Sequence, residues 1–122
     1  MIGRLHHVIL DTADPVRLGE FYSALLGMPV TYRSEDFVVV APDERSSGLA
    51  FQLAPDHTPP RWPDPAYPQQ VHLDVMVDDL EAAAAAVEEL GARRLGPGYV
   101  HADPSGHPFC LVRRPSWAPP VG

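Results

Sequence analysis

The sequence contains no lysine, and all nine of its cationic side chains are arginine. That excludes Schiff-base catalysis and a P-loop lysine, since both need a lysine amine. A single cysteine, Cys110, leaves no disulfide framework within the chain. There is no basic run either, and a formal charge of -7 argues against a nucleic-acid backbone or an anionic membrane as partner. No apolar stretch approaches the roughly 20 residues that span a bilayer. The segment Met1-Ile2-Gly3-Arg4 has no signal-peptide hydrophobic region. These absences lead to the expectation of a soluble cytoplasmic protein.

What is present begins with proline. The 122 residues include 15 prolines, well above the usual one in about twenty. Six of them, Pro55, Pro59, Pro60, Pro63, Pro65 and Pro68, share one stretch, where missing N–H groups and fixed φ oppose both helix and interior strand. That stretch reads as a connector over residues 55–68. Pro115, Pro119 and Pro120 mark a C-terminal tail at 116–122. The length suits one domain, here 1–115, able to bury about two thirds of its unfolded surface without disulfides or a structural metal.

On either side of the connector the chain repeats itself, with module one at about 1–57 and module two at about 69–115. His7 opens His-Val-Ile-Leu-Asp-Thr-Ala-Asp and His72 opens His-Leu-Asp-Val-Met-Val-Asp-Asp. Each segment reads as a strand leading to an aspartate, Asp14 or Asp79, suited to cap a helix. Pro15 supports the first helix start. Val16, Leu18, Phe21, Tyr22, Leu25 and Leu26 then follow helical spacing up to Gly27. The second helix spans Leu80 to Leu90, contains five consecutive alanines from Ala82 to Ala86, and stops at Gly91. β-like segments follow each helix: Val30–Arg33, Phe37–Val40 and Leu49–Leu53, then Arg93–Leu95, Tyr99–Ala102 and Phe109–Arg113. Each half therefore reads βαβββ, and the fold class is α+β.

Leu5-His6-His7-Val8, Asp14, Phe21-Tyr22 and Leu26-Gly27 mark the first half. Val71-His72-Leu73-Asp74, Val77-Asp78-Asp79-Leu80, Leu90-Gly91 and Asp103-Pro104-Ser105-Gly106-His107-Pro108-Phe109 mark the second. In this order they resemble the vicinal oxygen chelate superfamily, which includes glyoxalase I, the extradiol dioxygenases and the bleomycin-resistance proteins, and most of all its small glyoxalase-like subgroup. The resemblance implies paired βαβββ modules whose strands curl into an open, cup-shaped mixed sheet with helices outside. It also implies a homodimer.

Carried over by motif position, the metal-binding strands of such proteins supply His7, Gln52, His72 and Cys110 here. A divalent metal with open positions, zinc, nickel or iron, would hold two neighbouring oxygens of a small-molecule ligand. The chain departs from the glyoxalase I pattern, because Gln52 and Cys110 stand where a glutamate would bind metal and move a proton. Cys110 also replaces the carboxylate of an iron facial triad. Glyoxalase I activity is therefore disfavoured, and no catalytic residue is assigned. The resemblance leaves two readings: a glyoxalase-like protein, a metal-dependent lyase or isomerase with His7, Gln52 and His72 as ligands, and a non-catalytic drug-sequestering protein of the bleomycin-resistance type.

Strand alternation puts His7, Ile9 and Asp11 on one face and Val8, Leu10 and Thr12 on the other; His72, Asp74 and Met76 likewise oppose Leu73, Val75 and Val77. The two histidines read as ligands or as relics hydrogen-bonded to neighbours. Asp74 is expected to orient an imidazole, bind a ligand or act as a base, the alternative being a salt bridge to Arg4 or Arg33. Asp74, Met76, Cys110 and Trp62 are the ligand-binding candidates, with Trp62 and Tyr67 placed to lid the cup. For Cys110, packing is also open. His6 is expected on the face opposite His7, and His101 and His107 as exposed loop residues. Glu88-Glu89 and Arg93-Arg94 are expected to be solvated.

Overall fold

In the computed structural model, which describes residues 1–122, the first histidine-led segment is strand β1 (His7–Thr12). It leads into helix α1 (Pro15–Leu26), where the Asp14 carboxylate accepts the Arg17 N–H at 3.1 Å and so satisfies one orphan donor of the first turn. Gly27 ends the helix in the left-handed conformation, φ 64°, which a residue without Cβ adopts freely. Strands β2 (Val30–Arg33), β3 (Phe37–Val40) and β4 (Gly48–Leu53) follow. The second half repeats the order with β5 (Leu73–Val77), α2 (Leu80–Glu89), β6 (Arg93–Arg94), β7 (Val100–Ala102) and β8 (Pro108–Arg113). Asp79 caps α2 by accepting the Ala82 N–H at 3.0 Å. The α+β, paired βαβββ architecture expected from the repeat is the one observed. Neither helix is long and apolar enough to cross a membrane.

The chain divides into two compact units, Met1–Thr58 and Pro59–Gly122. In the first, the sheet order is β1-β4-β3-β2, with β1 and β4 parallel and the other pairs antiparallel. Alternation then sorts the side chains. Leu10, Phe51 and Val38 are register partners on the face under α1, and all are buried. The Tyr22 ring stacks on Phe51 with centroids 5.3 Å apart. Gly19 makes that approach possible, because a Cβ there would fall 2.5 Å from Val38 Cγ1. The opposite, open face carries His7, Ile9 and Asp11 of β1 beside Gly48, Ala50 and Gln52 of β4.

In the second unit the order is β5-β8-β7-β6, again with the first pair parallel. Leu73, Val75 and Val77 share the α2 face with Phe109 and Leu111, while Asp74 and Met76 share the open face with Cys110 and Val112. Of the alanine run only Ala84 is buried, together with Val87 one turn later, so the helix touches the sheet along a narrow stripe.

Two expectations about this layer are corrected. His101 is fully buried on β7, stacked on Phe109 at 5.8 Å, with Nε2 3.2 Å from Glu88 Oε1. Strand register, not the nearby turn, sets its place: His101 pairs with Phe109 and must share its helix-facing side. His107 is mostly buried too, its Nδ1 2.9 Å from the Asp103 carboxylate. Glu88 and Arg94 are accordingly not simple solvated charges, since Arg94 lies over the Tyr99 ring at 5.0 Å and approaches Glu81 at 3.8 Å.

Candidate functional site

The open face of the second sheet brings three donors together. Asp74 of β5 and Cys110 of β8 are direct partners in the parallel register. His72, just before β5, lies two residues before Asp74, and alternation puts both side chains on one side. The His72 Nε2 is 3.4 Å from Asp74 Oδ1, and the donor atoms of His72, Asp74 and Cys110 all lie within 4.8 Å of one another. Asp74 therefore pairs with an imidazole rather than an arginine; Arg33 instead approaches Glu20, at 3.6 Å. Burial, and then the negative charge of Asp74, push the Cys110 thiol above its ordinary pKa. At neutral pH the sulfur is protonated, and a metal would have to displace that proton. Met76 and Val112, one step further along the strands, supply an apolar neighbour on the same face.

Imidazole, carboxylate and thiolate are a donor set that suits zinc, for which three protein ligands leave a fourth position open. The set contains one histidine, so it does not form the two-histidine, one-carboxylate triad of non-haem iron.

The first unit places His7 differently. Its Nδ1 accepts the Gly48 N–H at 3.1 Å, which leaves the ring proton on Nε2 in the neutral form. Burial, then the nearby charge of His6, hold the His7 pKa below the usual histidine value. Metal-bound histidines ordinarily donate from the second nitrogen to an acceptor, so this bond is the reverse of the supporting contact a ligand histidine uses. Gln52 is exposed on β4, level with Asp11 and Phe37. His6 does not turn away from His7: residue 6 precedes the strand, and the two rings stand 3.9 Å apart. Both line a cavity of about 970 Å³ with Ile9, Tyr32, Phe37 and Arg45. The aromatic wall of Tyr32 and Phe37 is a feature that the histidine landmarks alone did not reveal; its signal lay in the alternation of β2 and β3.

Trp62 is half-buried against the second unit, near Gly96, and lines a smaller cavity with Arg93 and Leu95. Tyr67 supports the Arg61 guanidinium, which lies 4.3 Å above its ring.

A family model described as a glyoxalase-like domain matches residues 7–112. No curated protein sequence matches the chain. Among solved structures, similarity extends to a glyoxalase/bleomycin resistance protein/dioxygenase family enzyme from Burkholderia phytofirmans, with 18% identity, a TM-score of 0.70, and coverage of 89% of this chain and 97% of that one. The bleomycin-binding protein of Streptomyces verticillus, solved with copper(II)-bleomycin, is 14% identical with a TM-score of 0.55, over 94% of this chain and all of the other (100%). Glyoxalase I of Leishmania major is 21% identical with a TM-score of 0.61, over 91% of this chain and 86% of that one. At these identities the likeness establishes the fold.

Proposed function

Because the chain belongs to the glyoxalase-like domain family, we propose that it is a metal-dependent small-molecule-binding protein whose second unit supplies the metal site. The observation that carries this reading is the convergence of His72, Asp74 and Cys110 donor atoms within 4.8 Å. A divalent metal held there would supply Lewis acidity to neighbouring oxygens of the ligand. The chain's own residues have separate tasks. His72 offers Nε2 and Asp74 a carboxylate oxygen, two atoms that stand 3.4 Å apart, and Cys110 gives up its proton and contributes sulfur. Met76 packs against the apolar part of the ligand. Motif position within the family would add His7 and Gln52, but the Gly48 N–H on His7 Nδ1 favours the His72 cluster as the primary site.

Zinc retention after incubation and desalting tests the reading. About one equivalent should remain on the protein, and Cys110→Ser and His72→Ala should each lower affinity at least about tenfold. A protein that retains no zinc, nickel or iron, or variants that retain it as well as the parent, overturn the proposal.

The cavity of the first unit favours a second reading, drug sequestration without chemistry. Its Tyr32 and Phe37 wall and the chain's charge of -7 suit a planar cation. Expression in a bleomycin-sensitive host should then raise tolerance while leaving the drug chemically intact, and unchanged tolerance counts against it.

A further inference from the structure

The Pro-rich segment does more than join two modules. Pro59 lies so close to the Asp103–His107 turn that a Cβ on Gly106 would meet Pro59 Cβ at 2.4 Å, and Gly106 also has φ +92°. Glycine is needed there on both counts. Further along, the Trp62 ring reaches the neighbourhood of Gly96, 3.9 Å from where a Cβ would stand. The Arg61 N–H donates to the Tyr67 carbonyl at 2.9 Å, and the Tyr67 ring supports the Arg61 guanidinium. The segment is thus fixed at several points onto its own unit. Between it and the sheet lies a cavity of about 400 Å³ lined by Pro59, Arg61, Trp62, Arg93, Leu95 and Ala102, among others.

Register assigns this cavity to the open face. Arg93 pairs with Ala102, and Ala102 with Pro108, on the side opposite His101 and α2. No acidic side chain lines it. Neither Arg61 nor Arg93 forms an ion pair, whereas Arg33, Arg94 and Arg114 each meet a carboxylate. Arg4, Arg17, Arg45 and Arg113 are likewise without an ion pair; what sets Arg61 and Arg93 apart is that they share a cavity with a tryptophan and no carboxylate. Guanidinium groups bind carboxylates through paired N–H donors, and the indole offers a flat apolar surface. The volume falls at the low end of the roughly 300–1,000 Å³ of small-molecule pockets, which suits one ring or two.

We infer that this cavity is a binding site for a small aromatic carboxylate, its ring against Trp62 and its carboxylate on Arg93, with Arg61 adding positive charge. The site shares no residue with His72, Asp74 and Cys110, so it and the metal reading stand or fall separately.

NMR titration with benzoate tests it, following the Trp62 indole N–H resonance assigned with a Trp117→Phe variant. The expected result is a saturable shift of the Trp62 signal. Benzamide, which keeps the ring and loses the charge, should bind about tenfold more weakly. Arg93→Gln, at an exposed position, should weaken benzoate at least about fivefold while the spectrum stays dispersed and zinc retention is unchanged. No saturable shift up to about 50 mM benzoate, equal binding of benzamide, or an Arg93→Gln variant that binds benzoate as the parent does would each overturn the assignment.

Discussion

Asp74 and Cys110 face each other across the parallel pairing of β5 and β8, and the carboxylate raises the pKa of the thiol it faces. Burial is the larger cause and Asp74 the smaller one. Asp74→Asn should therefore move the midpoint of the pH profile for iodoacetamide alkylation of Cys110 downwards, without bringing it to that of a fully exposed cysteine. Since Cys110 is the only cysteine, the profile reports on it alone. An unmoved midpoint would show that the carboxylate does not act on the sulfur. Metal binding should release this proton as well, so zinc affinity should rise with pH over the range in which the thiol stays protonated.

Two glycines of the first unit differ in what would meet an added methyl group. At Gly48 a Cβ would fall 2.1 Å from the Val40 carbonyl oxygen, which is backbone held in a sheet. At Gly19 the obstacle is the Val38 side chain at 2.5 Å. Gly19→Ala should cost about 1–3 kcal/mol, the usual range for overpacking. Gly48→Ala should cost more, because strand β4 must shift and the Gly48 N–H bond to His7 Nδ1 with it. Urea denaturation of the two variants checks the order.

His101 combines burial with an unsatisfied atom, as Nδ1 has no hydrogen-bond partner while Nε2 meets Glu88. Replacing the ring with an apolar one removes that buried polar atom and keeps the stacking on Phe109. His101→Phe should leave stability within about 1 kcal/mol of the parent or raise it. His101→Ala should lose about 3 kcal/mol through the cavity it leaves. A thermal melt in which both variants fall equally would show that the Glu88 contact, not the packing, is what stabilises this layer.

The matched caps allow a direct test of the repeat. Asp14→Ala and Asp79→Ala each remove an acceptor for one first-turn N–H and should each cost about 1 kcal/mol. Because each cap serves only its own helix, the losses in the double variant should add to within about 0.5 kcal/mol. Chemical denaturation of the two single variants and the double variant measures this.

The sequence by itself determined the elements. Asp14, Pro15 and Gly27 bound α1 because capping and left-handed backbone are properties of residue type and immediate neighbours. Alternation in His7–Thr12 and in Leu73–Val77 divided each strand into a buried and an open face before any partner was known. The site was only half legible. Sequence places His72 and Asp74 on one face, since they are two residues apart, but Cys110 lies 36 positions after Asp74 and joins them through the β5–β8 register. The same long-range pairing buried His101 beside Phe109, against the local indication of a turn. The hydrogen bond that His7 Nδ1 accepts from the Gly48 N–H likewise arises across the β1–β4 pairing, 41 positions along the chain. Local rules act over a few residues, whereas strand register joins distant ones through backbone hydrogen bonds and buried side chains; only the tertiary structure decided which candidate side chains meet.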